Sequence, residues 1–209
     1  MYVPPSFVPP HPELLYQCIE RYGFATLVSQ QGGDLLASHL PMLLERADGG
    51  HGELIGHLAG PNPQAAFQGG EPVLAIFHGP HTYVSPSWYE TDRAVPTWNY
   101  VAVHVRGRIR VEQDEERRLA DLARLVTHYE SSREQPWSIA AAPRDYLVQL
   151  ARAIVAFRVE IESLEGSWKL SQNHPVARRL AVIARLESLG TDDATEIARL
   201  MREMLDSNG

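Results

Sequence analysis

Aromatic side chains interleaved with amides and one cation are the residues of this sequence best suited to ligand chemistry. They lie in two segments, YVSPSWYETDRAVPTWNYVAV (83–103) and EGSWKLSQN (165–173). The rings are Tyr83, Trp88, Tyr89, Trp98, Tyr100 and Trp168, and the polar groups are Asn99, Lys169, Gln172 and Asn173. Such a mixture suits a flat ligand with polar edges, for example a flavin. Pro and Trp are also common in the end loops of ordinary barrels, which is the structural alternative.

Nine histidines raise the question of a metal site. His39, His57 and His104 fall on predicted strands, while His78 and His81 flank a Gly-Pro pair. Zinc usually takes three protein ligands in its catalytic sites, and the sequence contains no HExxH or comparable spacing. Histidines scattered one per strand are more typical of hydrogen-bonded structural or pocket residues. No metal site is therefore predicted.

Nucleophilic catalysis has little support in the sequence. Ser85 and Ser87 lie in SPSW rather than in a GxSxG nucleophile elbow. Cys18, the one cysteine, falls on the apolar face of the first predicted helix, where we expect it to be a small buried hydrophobic residue. One cysteine allows neither an internal disulfide nor a CxxC pair. No catalytic residue is assigned.

Basic side chains alternate with apolar ones along the segment 100–111. His104, Arg106, Arg108 and Arg110 therefore share one face of the predicted strand. Such a face suits a cofactor phosphate or the acidic groups of a partner. For Arg108 and Arg110 we expect a solvated outer face balanced by carboxylates, and for His104 and Arg106 both interpretations stay open.

Strand-like segments separated by turn residues must position these side chains. They follow a short helix at 12–22 and lie at 24–29, 35–45, 53–58, 72–79, 82–89 and 100–111. Successive strands with short polar connections and no helices between them favour antiparallel pairing. Closure into a small barrel removes exposed edges. We therefore predict a mainly β fold, a six-stranded antiparallel barrel with helical additions.

Helical spacing returns in the second half of the chain. Helices are predicted at 115–130 and 143–153, followed by a final strand at 154–164 that pairs back into the barrel. We therefore expect a barrel domain over residues 1–173 and a helical hairpin over residues 174–209.

The predicted hairpin has recognisable helix ends. Pro175 opens its first helix, Gly190 ends it, and Asp193 with Glu196 forms a capping box for the second helix. The residues expected to face inward from the first helix are Val176, Leu180, Ile183 and Leu186. The order of helices resembles a helix-turn-helix, but the acidic start of the second helix, including Asp192, would repel DNA phosphates. Packing on the barrel or on a second subunit is the favoured interpretation.

Composition restricts the classes of partner. The 209 residues include 26 acidic and 19 basic side chains, a formal net charge of −7. Nucleic-acid binding draws most of its affinity from Lys and Arg on phosphates, so direct DNA binding is not expected to be the main activity. Membrane-surface binding is disfavoured for the same reason. The N-terminus lacks the layout of a signal peptide, and a cytoplasmic protein is expected.

Five ordered segments resemble the PaiB family, which is described as FMN-binding negative transcriptional regulators. They are MYVPPSF (1–7), ASHLPMLL (37–44), IFHGPHTYVSPSWY (76–89), VPTWNYVAVHVRGRIRV (95–111) and WKLSQN (168–173). The resemblance spans about residues 1 to 173 and rests on the shared order of the five segments. It implies an FMN-binding split barrel, the fold of pyridoxamine-phosphate oxidases and flavin reductases, assembled as a homodimer.

The resemblance also implies which residues bind FMN. They are Ser38, His39 and Leu40 along the flavin, His57, Ala59 and Asn62 near the ribityl and phosphate groups, and Trp98, Asn99 and Lys169 from the aromatic segments. The oxidases hold the phosphate with Arg and Lys, whereas ASHLP and HLAGPNPQ contain neither. The sequence therefore predicts either weak FMN binding or a phosphate held by His39, His57 and backbone N–H groups.

Two classes of function follow from the resemblance. The first is a negative transcriptional regulator that acts through a flavin-sensitive or protein-mediated step. The alternative is an FMN-dependent oxidoreductase, similar to the pyridoxamine-phosphate oxidases or flavin reductases, or a flavin-binding module without turnover. Since a flavin itself carries out the redox step, the absence of a catalytic motif does not separate these classes.

Overall fold

The computed structural model describes residues 1–89 and 91–206, and these form seven strands and five α-helices. The strands are β1 (Phe24–Gln31), β2 (Asp34–Pro41), β3 (Leu43–Glu45), β4 (Glu53–Ala59), β5 (Pro72–Val84), β6 (Thr97–Val111) and β7 (Ile154–Lys169). The helices are α1 (Glu13–Arg21), α2 (Glu115–Glu130), α3 (Arg144–Arg152), α4 (Val176–Leu189) and α5 (Asp192–Asp206). None of the helices in the described residues is long and apolar enough to cross a bilayer.

The strands form one sheet in the order β2-β1-β5-β6-β7-β4-β3. The pairings of β1 with β2 and β5, and of β4 with β3 and β7, are antiparallel. The mainly antiparallel fold class is therefore confirmed. The prediction that the last strand returns to the sheet is also confirmed, because β7 lies between β6 and β4.

The sheet has seven strands rather than the predicted six, because β7 joins six strands formed by residues 24–111. Within those residues, the segment 35–45 forms two strands rather than one. β2 ends at Pro41, whose ring nitrogen has no hydrogen to donate to a strand ladder. The following residue, Met42, is buried and donates its N–H to the carbonyl of Gly23 at 2.8 Å. This bond lies outside the β2 ladder, and β3 starts only at Leu43.

The segments 72–79 and 82–89 were predicted as two strands, and this division is also wrong. β5 runs without interruption through Gly79 and Pro80, and a 3-10 helix follows it at Pro86–Tyr89. Gly79 permits a close approach, since a Cβ at this position would lie 3.0 Å from the Cβ of Val101. The Gly-Pro pair therefore marks tight packing rather than a turn.

The chain divides into two compact units, which are described separately. The terminal unit comprises residues 1–18, residues 78–103 and the chain from Glu165 onward, and the central unit comprises residues 19–77 and 104–164. Three strands, β5, β6 and β7, contribute residues to both units. The division into a barrel and a hairpin at residue 173 stays a prediction.

The central unit has an apolar core and a buried ionic cluster. Leu27, Leu54 and Phe77 are fully buried in the core. In the cluster Arg158 of β7 donates to Asp121 of α2 at 2.6 Å and to Glu53 of β4 at 2.9 Å. A buried carboxylate such as Asp121 requires a paired cation, so this contact fixes α2 against the strands of its unit. The observed bounds of α2 agree with the predicted helix at 115–130.

The terminal unit contains the helical hairpin, whose first helix has a different inward face from the one predicted. Ile183 and Leu186 are buried as expected, and Val182 is buried with them. The prediction for Val176 and Leu180 is wrong, because they are 56% and 45% exposed. Arg179 is buried instead, so the inward face of α4 comprises Arg179, Val182, Ile183 and Leu186.

The ends of the two hairpin helices are set by the turn between them. Gly190 ends α4 in the left-handed region, with φ of +67°, as predicted for a C-terminal glycine. The capping box at Asp193 is wrong. α5 begins at Asp192, and the Thr191 hydroxyl accepts the N–H of Ala194 at 3.4 Å, which makes Thr191 the capping residue.

Candidate functional site

A cavity of about 350 Å³ lies entirely within the terminal unit. Its walls come from the N-terminal arm, the 3-10 helix after β5, the approach to β6 and the loop after β7. The lining residues are Phe7, Tyr89, Arg93, Ala94, Val95, Thr97, Asn99, Lys169, Ser171, Asn173 and His174. The volume is near the lower end of the roughly 300–1,000 Å³ typical of ligand pockets.

The loop after β7 holds one wall of this cavity in an unusual conformation. Ser171 has φ of +63°, a left-handed value that a serine rarely adopts. The Gln172 side chain stabilises the loop by accepting the N–H of Leu170 at 2.7 Å and by donating to the carbonyl of Trp168. Strained backbone of this kind clusters at functional sites, where the surroundings hold it in place.

A buried hydrogen-bond network connects this loop to the other cavity walls. The Ser171 hydroxyl lies 2.8 Å from the Tyr89 hydroxyl and accepts from the Asn99 amide at 3.1 Å. The Asn99 amide also contacts the Met201 sulfur at 3.4 Å. Asn99 is completely buried, so its donors already have partners inside the protein.

Two rings form the flat wall of the cavity. Tyr89 and His174 stack with their centroids 4.2 Å apart. Burial raises the pKa of Tyr89, against the smaller opposing effect of its bond to Ser171, so the phenol is neutral at pH 7. Burial and then the nearby charge of Arg178 lower the pKa of His174, which makes the imidazole neutral as well.

The cavity is electropositive. Lys169 donates to the hydroxyl of Thr97, and Arg93 lies on the same wall. The lining residues that the structure describes include two cations and no carboxylate. Lys169 is also the one lysine of the sequence, since the other 18 basic side chains are arginines.

The predicted residues of β2 and of the loop after β4 meet in the central unit. Ser38 accepts the side-chain amide of Asn62 at 2.9 Å, and the Asn62 carbonyl oxygen accepts the N–H of Gln64 at 2.9 Å. His39 is exposed, and its Nδ1 lies 3.0 Å from the Thr26 hydroxyl. β2, β4 and the 3-10 helix Pro63–Ala65 contact one another, which gathers the predicted residues of these elements into one region.

His57 of β4 has the most informative side chain in this region. Its Nδ1 is buried and has no hydrogen-bond partner among the described residues. Burial lowers its pKa, so His57 is neutral at pH 7 and offers a neutral donor or acceptor rather than a positive charge. Of its neighbours on the predicted list, Ala59 is exposed and Leu40 is buried at 4% exposure. The Leu40 side chain therefore belongs to the core.

The three predicted residues of the terminal unit separate into two groups. Asn99 and Lys169 line the cavity, whereas Trp98 does not. Neighbouring residues of a strand point to opposite faces, and Trp98 is 52% exposed with His81 and Tyr83 near its ring. Phe7, Arg93 and Ser171 also line the cavity, although the sequence did not identify them as site residues. The signal for this cavity in the sequence is Lys169, the one lysine among many arginines.

On the basic face of β6, the two arginines with identified partners, Arg108 and Arg110, lie at the solvated surface. Arg108 donates to Glu162 at 2.8 Å, and Arg110 donates to Glu53 at 2.9 Å. Both arginines are exposed, which confirms the prediction of a charged outer face balanced by carboxylates.

The central unit fits FMN in the chemistry of its side chains. The unpartnered Nδ1 of His57 needs a polar partner, because a buried polar atom without one is destabilising. Ser38, His39 and Asn62 add hydrogen-bonding groups, none of them fully buried. These groups suit the ribityl hydroxyls and the phosphate, although none of the predicted residues of this unit carries a fixed positive charge.

Residues 1–163 match the protein family described as "Putative FMN-binding domain". The chain is 34% identical over 207 residues to the "Protease synthase and sporulation protein PAI 2" of Bacillus subtilis, covering 98% of each chain. It is also 32% identical over 203 residues to an uncharacterized protein of Emericella nidulans, covering 80% of this chain and 81% of the other.

Solved structures of flavin proteins share the fold. The FAD and heme binding protein from Mycobacterium smegmatis superposes with a TM-score of 0.58 at 17% identity, covering 82% of this chain and 77% of the other. The flavocytochrome Anf3 from Azotobacter vinelandii has a TM-score of 0.57 at 11% identity, covering 78% and 69%. At such low identity these likenesses concern the fold alone, which is that of the flavin-binding split barrels.

Proposed function

The chain belongs to the PaiB family of FMN-binding proteins, and on this basis we propose that it is a negative transcriptional regulator acting as an FMN-binding homodimer. The relative from Bacillus subtilis is named "Protease synthase and sporulation protein PAI 2". A sequence identity of 34% that extends over 98% of both chains supports a shared role.

The convergence of β2, β4 and the Pro63–Ala65 helix carries the proposal for the FMN site. Six predicted residues belong to these elements or border them: Ser38, His39, Leu40, His57, Ala59 and Asn62. Of these, Leu40 contributes through its backbone, since its side chain is buried. Trp98 belongs to the terminal unit, and we propose that its exposed ring stacks on the flat ligand of a second copy, across the dimer.

Each polar residue of the proposed site has a definite task. The unpartnered Nδ1 of His57 forms a hydrogen bond with the ligand. The Asn62 side-chain amide donates to the Ser38 hydroxyl at 2.9 Å, and this bond holds both side chains in position. His39 supplies an exposed imidazole whose orientation is fixed by Thr26. Bound FMN would supply redox chemistry, and the protein orients it.

A flavin titration of His57→Ala tests this site. Loss of one hydrogen bond is worth roughly 1 kcal/mol, so we expect the FMN dissociation constant to rise about fivefold. Quenching of flavin fluorescence measures the affinity. His11→Ala is the matched control, because His11 is exposed and belongs to the terminal unit.

The control should bind FMN like the unmodified protein. Unchanged affinity in His57→Ala, with both variants folded by circular dichroism, would place the flavin away from β4.

A further inference from the structure

We infer that the cavity of the terminal unit is a second site, which binds a small organic anion: a carboxylate on a flat apolar body. The inference goes beyond FMN binding, and it assigns Lys169 to this ligand rather than to the flavin, while Asn99 is a buried part of the cavity wall. It uses residues of the terminal unit only, so it stands independently of the FMN site proposed in the central unit.

The first argument is the charge of the lining. Lys169 is partly buried and Arg93 is exposed at the rim, and neither forms an ion pair within the described part of the chain. His174 adds no negative charge and is neutral at pH 7. Two cations without a carboxylate attract an anion, and the partly buried Lys169 is screened less by solvent than a surface lysine.

A second, independent observation is the buried guanidinium of Arg179. This side chain is 6% exposed, and its Nε and Nη2 have no hydrogen-bond partner in the described residues. It belongs to α4, the helix that contacts the 3-10 helix carrying Tyr89. A buried cation without a counter-charge is costly. Arg179 is not among the lining residues of the cavity, so it adds to the positive charge of the terminal unit without contacting the ligand.

Other arginines of the hairpin form ion pairs with glutamates. Arg199 donates to Glu196 at 2.7 Å, and Arg202 donates to Glu187 at 2.9 Å. Arg179 is the one buried arginine of the hairpin in the described residues, and its Nε and Nη2 have no such partner.

The rest of the lining defines the body of the ligand. Phe7, Ala94 and Val95 give apolar walls, and the stacked Tyr89–His174 pair gives a flat one. The donors of Asn99 are already used inside the protein, so the cation of Lys169 is the main recognition group. An aromatic monocarboxylate matches this combination of a flat apolar wall and a cation.

Lys169 permits a direct test with benzoate as the probe. Reductive methylation with ¹³C-formaldehyde labels the one lysine and keeps its charge. The other amine, the Met1 N-terminus, is paired with Glu165. Benzoate should shift the lysine resonance in a saturable manner, whereas benzamide, a neutral molecule of the same shape, should not.

Two variants extend the test. Each unlabelled variant competes with the labelled native protein for benzoate, and the competition gives the benzoate affinity of the variant. Arg93→Gln should weaken benzoate binding about threefold, because it removes one of the two cations that line the cavity, the one that is exposed to solvent. Arg144→Gln is the control, since Arg144 is an exposed surface residue paired with Glu116. It should leave the affinity unchanged.

Three results would overturn the inference. They are the absence of a saturable benzoate shift, an equal shift with benzamide, and displacement of benzoate by FMN. Displacement would make the cavity part of the flavin site and leave the proposed function intact. The separate FMN titration distinguishes a failure of this site from a failure of the proposed function.

Discussion

Two neutral histidines show how single residues set the chemistry of each unit. Burial lowers the pKa of His57 in the central unit and of His174 in the terminal unit. The imidazoles therefore act as neutral hydrogen-bonding or stacking groups at pH 7, and the fixed charge of the candidate anion site comes from Lys169 and Arg93. The option of a phosphate held by an imidazolium at His57 is consequently disfavoured.

The same pKa shifts predict how stability depends on pH. In the unfolded chain both histidines have a pKa near 6.5, above their folded values, so the unfolded state binds more protons in that range. The contribution to stability is complete above about pH 6.5 and is lost as the pH falls towards the folded pKa values. We expect the free energy of unfolding to decrease between pH 7.5 and about 5.5.

Urea unfolding across this range measures the effect. His57→Gln and His174→Gln should each flatten the pH dependence, because each removes one titrating group. His11→Gln, at an exposed position, should leave it unaltered. An equally steep dependence in all three variants would show that other groups cause it.

At the scale of elements, strong local signals were readable from the sequence. Helix α2 begins after Asp114, whose carboxylate accepts the N–H of Arg117 at 2.9 Å, and its predicted and observed bounds agree. Gly190 ended α4 as predicted because a left-handed residue was needed there. Cys18 is buried as predicted, and burial raises its pKa to about 12, which keeps the thiol unreactive.

Features that depend on tertiary contacts were not readable in this way. The Gly79–Pro80 pair has a turn composition, yet close packing against Val101 keeps it inside β5. The left-handed Ser171 is held by partners 72 and 82 residues away in sequence, and local propensity contains no trace of them. The FMN region was assigned by resemblance, whereas the cavity required four distant segments to meet.

The α4–α5 hairpin leads to a prediction about DNA. Asp192 and Asp193 lie in the first turn of α5, where a recognition helix would approach the phosphates. We expect no gel shift of genomic fragments at low salt, the condition in which phosphate contacts are strongest. A discrete shifted band that Arg178→Gln weakens would show direct contact and contradict this account of the hairpin.

At the scale of the whole molecule, the net charge of −7 disfavours direct contact with DNA, so the proposed regulation is expected to act through the flavin ligand. His39 and Trp98 are exposed. In the proposed homodimer, a second copy of the chain packs against such exposed side chains and completes the flavin site. Because the proposed flavin site needs a second copy, FMN occupancy and the oligomeric state have to be measured in the same experiment.

Sedimentation with simultaneous detection of protein and flavin absorbance tests the central claim most directly. The account predicts that, after incubation with FMN, the protein sediments as a dimer of the 23.4 kDa chain carrying one FMN per subunit. A monomer that sediments without flavin absorbance at saturating FMN would contradict it.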